Sequence, residues 1–192
     1  MMFFFVRDYR NKYRYLSSEP LSEIQIRFSR WKKIWEAAKK KLTLLPERIL
    51  YQEQAFRKSK NIEGKTIKII HSGRLEERKI KTRFRFFLRT QKTKHILFLI
   101  GETLLLPLSG LAALLPGPNV FFGVLALLMI THWQALSGIN KLLKKEYDFT
   151  PSSLFERWEE VLEFKEEQNF LRTLNEVEKE YRLVNLHKIL WK

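Results

Sequence analysis

"ILFLIGETLLLPLSGLAALLPGPNVFFGVLALLMITHWQALSGIN", residues 96–140, is the stretch on which the fold turns. It carries a single formal charge, Glu102, and is interrupted in its middle by "LLPGPNVFFG", Leu114–Gly123. Pro116 and Pro118 remove two backbone donors, and each keeps the residue before it out of the helical region. Gly117 and Asn119 tolerate turn conformations, and Asn119 can cap a helix starting at Val120. The reading is a tight turn between two apolar helices rather than a kink in one. Ile96–Leu115 holds 20 residues and Val120–Leu136 holds 17. At ~1.5 Å per residue against an apolar bilayer layer of ~30 Å, the first can just span and the second sits at the short limit. Neither segment has a one-sided apolar pattern, so both call for burial all round, in lipid or in protein.

Working outward, charge divides the chain around this block. Residues 1–95 hold 26 Lys and Arg against 9 acids, and residues 141–192 hold 10 against 11, within a net charge of +15. A basic half implies an anionic partner. One that runs straight into an uncharged apolar block favours lipid headgroups over nucleic acid. Arg83, Arg85, Arg89, Lys92 and Lys94 precede the block, Lys141, Lys144 and Lys145 follow it, and the turn has no cation. Positive residues stay on the cytoplasmic or matrix side, so both flanks are expected there with the turn pointing away. Aromatic and basic residues interleave in "RFRFFLR", Arg83–Arg89, in a pattern open to strand or helix. No RNA- or DNA-binding signature accompanies it, and nucleic acid is not favoured as a partner.

The N-terminal half reads as amphipathic. Met1–Val6 is too short and too early for a secretory signal and suggests a short strand or an apolar plug. Ser18 can cap a basic helix in which Ile24, Phe28, Trp31 and Trp35 form an aromatic stripe, ended by Pro46. Ile62–Gly73 is loop-like with a β-prone run. In the tail, Thr150 and the Ser153/Glu156 pair are helix-start signals. Phe170, Leu174, Val177, Tyr181 and Val184 recur at alternating steps of four and three, a seam that docks on the protein's own core or on a partner.

Catalytic spacing is missing. There is no cysteine, no phosphate-binding glycine loop, no paired-histidine metal motif and no nucleophile elbow. The histidines at 71, 95, 132 and 187 are far apart in sequence. An enzyme, a metal site, a cofactor and a small-molecule substrate are therefore not expected. The acid-rich "EEVLEFKEE" reads as a solvated face. One pair stands out. Glu102 lies 14 residues before Pro116 and His132 lies 13 after Asn119, so an antiparallel hairpin puts them at nearly the same depth. Ionisable groups in an apolar hairpin point to proton or ion handling, set against the plainer reading that each only caps or reaches the interface. On that plainer reading Glu102 pairs instead with His95 or Arg89.

The stretch from Pro107 to Gly138 resembles the centre of the mitochondrial K+–H+ exchange-related family. The residues that carry the likeness are Pro107, Leu114–Asn119, Phe121, Phe122, His132, Trp133, Ala135 and Gly138. The resemblance implies a membrane-associated protein connected with potassium–proton exchange, without making it the exchanger. The expected architecture is mainly α. A basic amphipathic region (1–95) leads into a membrane-inserted hydrophobic hairpin turning at Pro116–Asn119 (96–140), and a charged helical region follows (141–192). The expected function is an accessory or component of cation homeostasis in a bacterial cytoplasmic or mitochondrial inner membrane. Its partners would be anionic lipids and a second copy or a membrane protein. The alternative is a soluble helical interaction module whose basic face binds lipid headgroups or nucleic acid.

Overall fold

Met2–Arg7 is a β-strand, β1, in which Phe3, Phe4, Phe5 and Val6 are all buried. Successive side chains of a strand point to opposite faces of its sheet, so an unbroken apolar run marks a strand covered on both sides. The computed structural model describes residues 1–17, 47–62, 64, 66–112, 120–164, 167–183 and 186–190. It places β1 inside a four-stranded mixed sheet. Antiparallel to it runs β2 (Tyr13–Ser17), and parallel to it runs β3 (Thr66–His71), which in turn pairs in parallel with β4 (Glu146–Pro151). The β1–β2 turn is tied by the buried Asp8 carboxylate, which accepts from the Arg10 and Lys12 amides and from Arg14 Nε. Asn11 sits there at a φ of 58°.

Helices cover both faces. On one side lie α1 (Glu47–Ser59), α2 (Glu77–Ala112) and α3 (Val120–Leu143). They pack Ala55, Phe56, Ile80, Phe84, Leu88, Ala135, Ile139 and Leu142 onto Phe3, Phe5, Tyr15, Ile67 and Ile69. On the other side, α4 (Ser153–Phe164), α5 (Glu167–Tyr181) and α6 (Leu186–Leu190) pack Phe155, Trp158, Val161, Phe170, Leu174 and Val177 onto Phe4, Val6, Leu16 and Ile70. The sequence seam at Phe170, Leu174 and Val177 therefore closes on the protein's own core. Tyr181 is partly buried beside it, and Val184 lies outside the described residues.

This architecture corrects the expectation of a mainly α protein built round a hydrophobic hairpin. The sheet is central and mixed, and the helices are its two covering layers. Two strands account for the difference. Tyr13–Ser17 is half charged and aromatic, and Glu146–Pro151 alternates in exposure as an edge strand does. The cap at residue 150 moves with it: Ser152 caps α4, its carbonyl accepting from the Glu156 amide. The fall in charge at residue 95 coincides with no break, because α2 runs 36 residues from its basic end through Pro107. "RFRFFLR" is helical within it.

Among the described residues no helix is long and apolar enough to cross a membrane. The hairpin turn at Pro116, Gly117, Pro118 and Asn119 lies outside the described residues, as does the aromatic stripe from Ile24 to Trp35.

Gly138 sets the distance between α3 and α1. A Cβ placed there would lie 1.7 Å from the Phe56 carbonyl oxygen and 2.8 Å from its carbon. Only glycine permits this approach, and it brings the end of α1 against the α2–α3 pair.

Candidate functional site

Along α2 one stripe is buried: Ile80, Phe84, Leu88, then His95 and Glu102. The steps of four and seven keep these residues on one face. On α3 the opposing stripe is Leu125, His132, Ala135, Ile139 and Leu142, with His132 partly exposed. The two stripes form one interhelical seam. It begins as an ordinary apolar core near the sheet and continues as a row of titratable groups farther along. Glu53 joins it from α1.

Four side chains form a line. Glu53 Oε1 lies 3.3 Å from His95 Nε2. His95 Nδ1 lies 3.0 Å from His132 Nδ1, a hydrogen-bond distance. His132 Nε2 lies 3.3 Å from Glu102 Oε1. The Glu53–His95 contact is close, but it is not aligned as a hydrogen bond, so His95 Nε2 is buried without one. Glu102 Oε2 is likewise buried with no hydrogen-bond partner among the described residues. The His132 ring stacks on Phe98, with centroids 5.0 Å apart, and the His95 ring meets Phe56 edge to face. These ring contacts hold both imidazoles in place.

Burial governs the electrostatics. It lowers the His95 pKa to about 4, helped by His132 and Lys94, and it also lowers that of His132. It raises Glu53 to about 7, against the opposing pull of Arg57, and it raises Glu102. Arg57 itself donates to Gln134 Oε1 at 3.2 Å. All four groups are thus pushed toward their uncharged forms.

The structure brings Glu102 and His132 together, the pair singled out from hairpin depth. His95 pairs with Glu53 and His132 rather than with Glu102. His95 enters the sequence reading only as an alternative partner of Glu102, and Glu53 does not enter it. His95 sits seven residues before Glu102, two turns along the same face, which is a readable signal. Glu53 comes from another helix and leaves none. Contrary to the expectation of scattered histidines, ligand atoms of Glu53, His95 and His132 lie within 4.8 Å of one another, close enough to surround a divalent cation. The two Nδ1 atoms lie 3.0 Å apart, so a cation bound through either of them would displace the hydrogen bond between the rings.

The basic residues divide into two groups. Lys141 Nζ donates to the Lys60 carbonyl at 2.6 Å and Lys145 Nζ to the Gly64 carbonyl. The Arg83 and Arg85 guanidinium groups lie over Tyr13 and Tyr147 at 5.2 and 5.8 Å. These four serve the fold as well as the surface. Arg89, Lys94 and Lys144 are exposed, and Lys92 is half-buried.

The family model described as mitochondrial K+-H+ exchange-related matches residues 10–145. The chain belongs to this family. The matched span contains α1, α2 and α3, and with them all four groups of the buried line. It is far wider than the Pro107–Gly138 stretch that first suggested the relationship. No curated protein and no solved structure matches the chain.

Proposed function

We propose that this K+-H+ exchange-related protein is a non-enzymatic, membrane-associated component of potassium–proton exchange, held at an anionic bilayer by the outer faces of α2 and α3. The observation that carries this reading is the exposure of their apolar side chains. Leu97, Phe98, Ile100 and Leu104 on α2 and Ile130 and Trp133 on α3 are each more than half exposed. Large contiguous apolar surfaces of this kind mark protein or membrane contacts, and each such side chain gains ~1–3 kcal/mol on leaving water completely. The sequence expectation of all-round burial fails inside the protein itself, and lipid supplies the missing cover.

The occupant is a bilayer rather than another protein because of what borders the surface. Arg89, Lys92 and Lys94 stand between the sheet-packed half of α2 and its apolar half, and Lys144 stands at the sheet end of α3. Each cation near an anionic leaflet adds ~1 kcal/mol. The contact we propose is with one leaflet, the apolar faces lying in the interface as those of amphipathic helices do. The sheet and the α4–α6 layer stay on the basic side.

Flotation of the full chain with vesicles tests this. Binding is expected to phosphatidylglycerol-containing vesicles, weakened by salt, and lost in a Leu97→Asn/Leu104→Asn double variant that keeps its melting temperature. Failure to float with anionic vesicles, or self-association that covers these side chains without vesicle binding, overturns the reading.

A further inference from the structure

The contact between His95 Nδ1 and His132 Nδ1 fixes a proton count. Two ring nitrogens 3.0 Å apart need one proton between them: two lone pairs repel, and two N–H groups clash. Each ring turns its other nitrogen, Nε2, toward a carboxyl group at 3.3 Å. If both carboxyl groups were protonated and donating, both Nδ1 atoms would carry hydrogen. If both were ionised and both rings neutral, neither would. The geometry is satisfied when the four groups together hold three protons and a net charge of −1. The least costly placement in an apolar seam is two neutral imidazoles, one carboxylic acid and one carboxylate, since a buried imidazolium is disfavoured.

We propose that Glu53, His95, His132 and Glu102 form a proton wire that carries one proton across the α1–α3 layer, from Glu53 at its rim to Glu102 in the half of the α2–α3 seam remote from the sheet. In the forward step the Glu53 O–H bond breaks and its proton goes to His95 Nε2. The His95 Nδ1 proton passes to His132 Nδ1, and the His132 Nε2 proton passes to Glu102 Oε1. Glu53 becomes the carboxylate and Glu102 the acid. Both rings change tautomer, and the total charge does not change. The return step is the reverse.

The two ends differ as a wire requires. The Glu53 side chain is 33% exposed, against 1% for His95, 19% for His132 and 11% for Glu102, so Glu53 is the member most open to protons from solvent. A small rotation of the rim carboxyl completes its contact with His95 Nε2. At the other end Glu102 Oε2 is buried without a hydrogen-bond partner among the described residues, and is the atom left to pass the proton on. The charged groups facing the line are Arg57 beside Glu53 and Lys94 beside His95, and neither lies between two members. The wire stands independently of docking at a bilayer, because its geometry is internal to three helices.

The test is NMR of the full chain labelled with 15N at histidine, without vesicles, titrated across neutral pH. The expected result is two uncharged rings that share one Nδ1–H···Nδ1 bond, seen as a scalar coupling between the two nitrogens. In Glu53→Gln and Glu102→Gln variants whose melting temperature is no lower than the parent's, the tautomer ratio of both rings is expected to move by about fivefold, because the amide can neither give up nor take the proton that the carboxyl group exchanges. This includes the ring that the substitution does not touch. A shift confined to the touched ring, or absence of the coupling in the unsubstituted chain, overturns the wire. Added Zn2+ gives a further outcome. Stoichiometric binding that abolishes the coupling and is lost in His95→Phe would overturn it in favour of a metal site.

Discussion

The two helical layers on the sheet handle apolar and charged side chains in opposite ways. In the α4–α6 layer the aromatic stripe is turned inward. Trp158 is fully buried, packs on Phe170 with centroids 4.6 Å apart, and donates its indole N–H to the Arg7 carbonyl at 2.8 Å. Its buried acid, Glu159, has Arg74 at 4.0 Å, and Arg74 also meets Glu160 and Glu163. In the α1–α3 layer large apolar side chains face outward, and the seam acids Glu53 and Glu102 face histidines, with Arg57 also beside Glu53. Burial raises the Glu159 pKa against the pull of Arg74, but an arginine does not take up its proton, whereas a histidine can exchange one with a carboxyl group. The first layer is organised to hold the sheet together, and the second carries the groups suited to proton handling.

The largest effect that separates the layers is expected at Trp158. Trp158→Ala empties a filled site and leaves the Arg7 carbonyl unpaired, at a cost of ~4 kcal/mol in urea unfolding. Vesicle binding by the remaining folded protein should not change. Gly138→Ala comes next. Its methyl group meets backbone rather than a yielding side chain, so α1 must move away from α3, at a cost of ~2–3 kcal/mol. Because Glu53 rides on α1, the same substitution should also widen the Glu53–His95 gap and uncouple Glu53 from the ring in a histidine NMR titration. A loss of stability with that contact intact would show that α1 is not positioned by Gly138.

Titration effects are smaller and differ in sign. The folded-state pKa of Glu53 is raised to about 7, so the stability it contributes is complete below its unfolded value and is lost as pH rises through about 7. Glu53→Gln should therefore raise the melting temperature relative to the parent at pH above about 7 and not in acid. For His95 the folded value is depressed to about 4. Its contribution is present above its unfolded value near 6.5 and is lost as pH falls toward about 4. His95→Phe should flatten that acid limb. The smallest expected change in stability is for Leu97→Asn and Leu104→Asn, within ~0.5 kcal/mol, because both side chains are already exposed. Their effect belongs to membrane binding alone.

The difference between the layers also explains what could be read in advance. The Phe170–Leu174–Val177 seam and the Glu102–His132 pairing follow from periodicity and from counting back from a turn, both local quantities. The sheet was less legible. Tyr13–Ser17 and Glu146–Pro151 carry Arg, Glu and Asp, and only their pairing with β1 and β3 makes them strands. Met1–Val6 offered a strand, but its burial on both faces depended on helices far away in sequence. Glu53 was invisible for the same reason: its approach to His95 depends on Gly138, a residue 85 positions farther along.

The central claim is that the outer face of α2 and α3 meets lipid while the opposite layer does not, and Trp133 and Trp158 report on these two faces. Trp133 is 64% exposed and Trp158 is fully buried. Replacing Trp31, Trp35 and Trp191 by Phe leaves only these two indoles. With anionic vesicles carrying brominated acyl chains, the expected result is strong quenching of part of the fluorescence, abolished by a further Trp133→Phe substitution. Quenching that survives Trp133→Phe, or none at all with the protein bound, would contradict it.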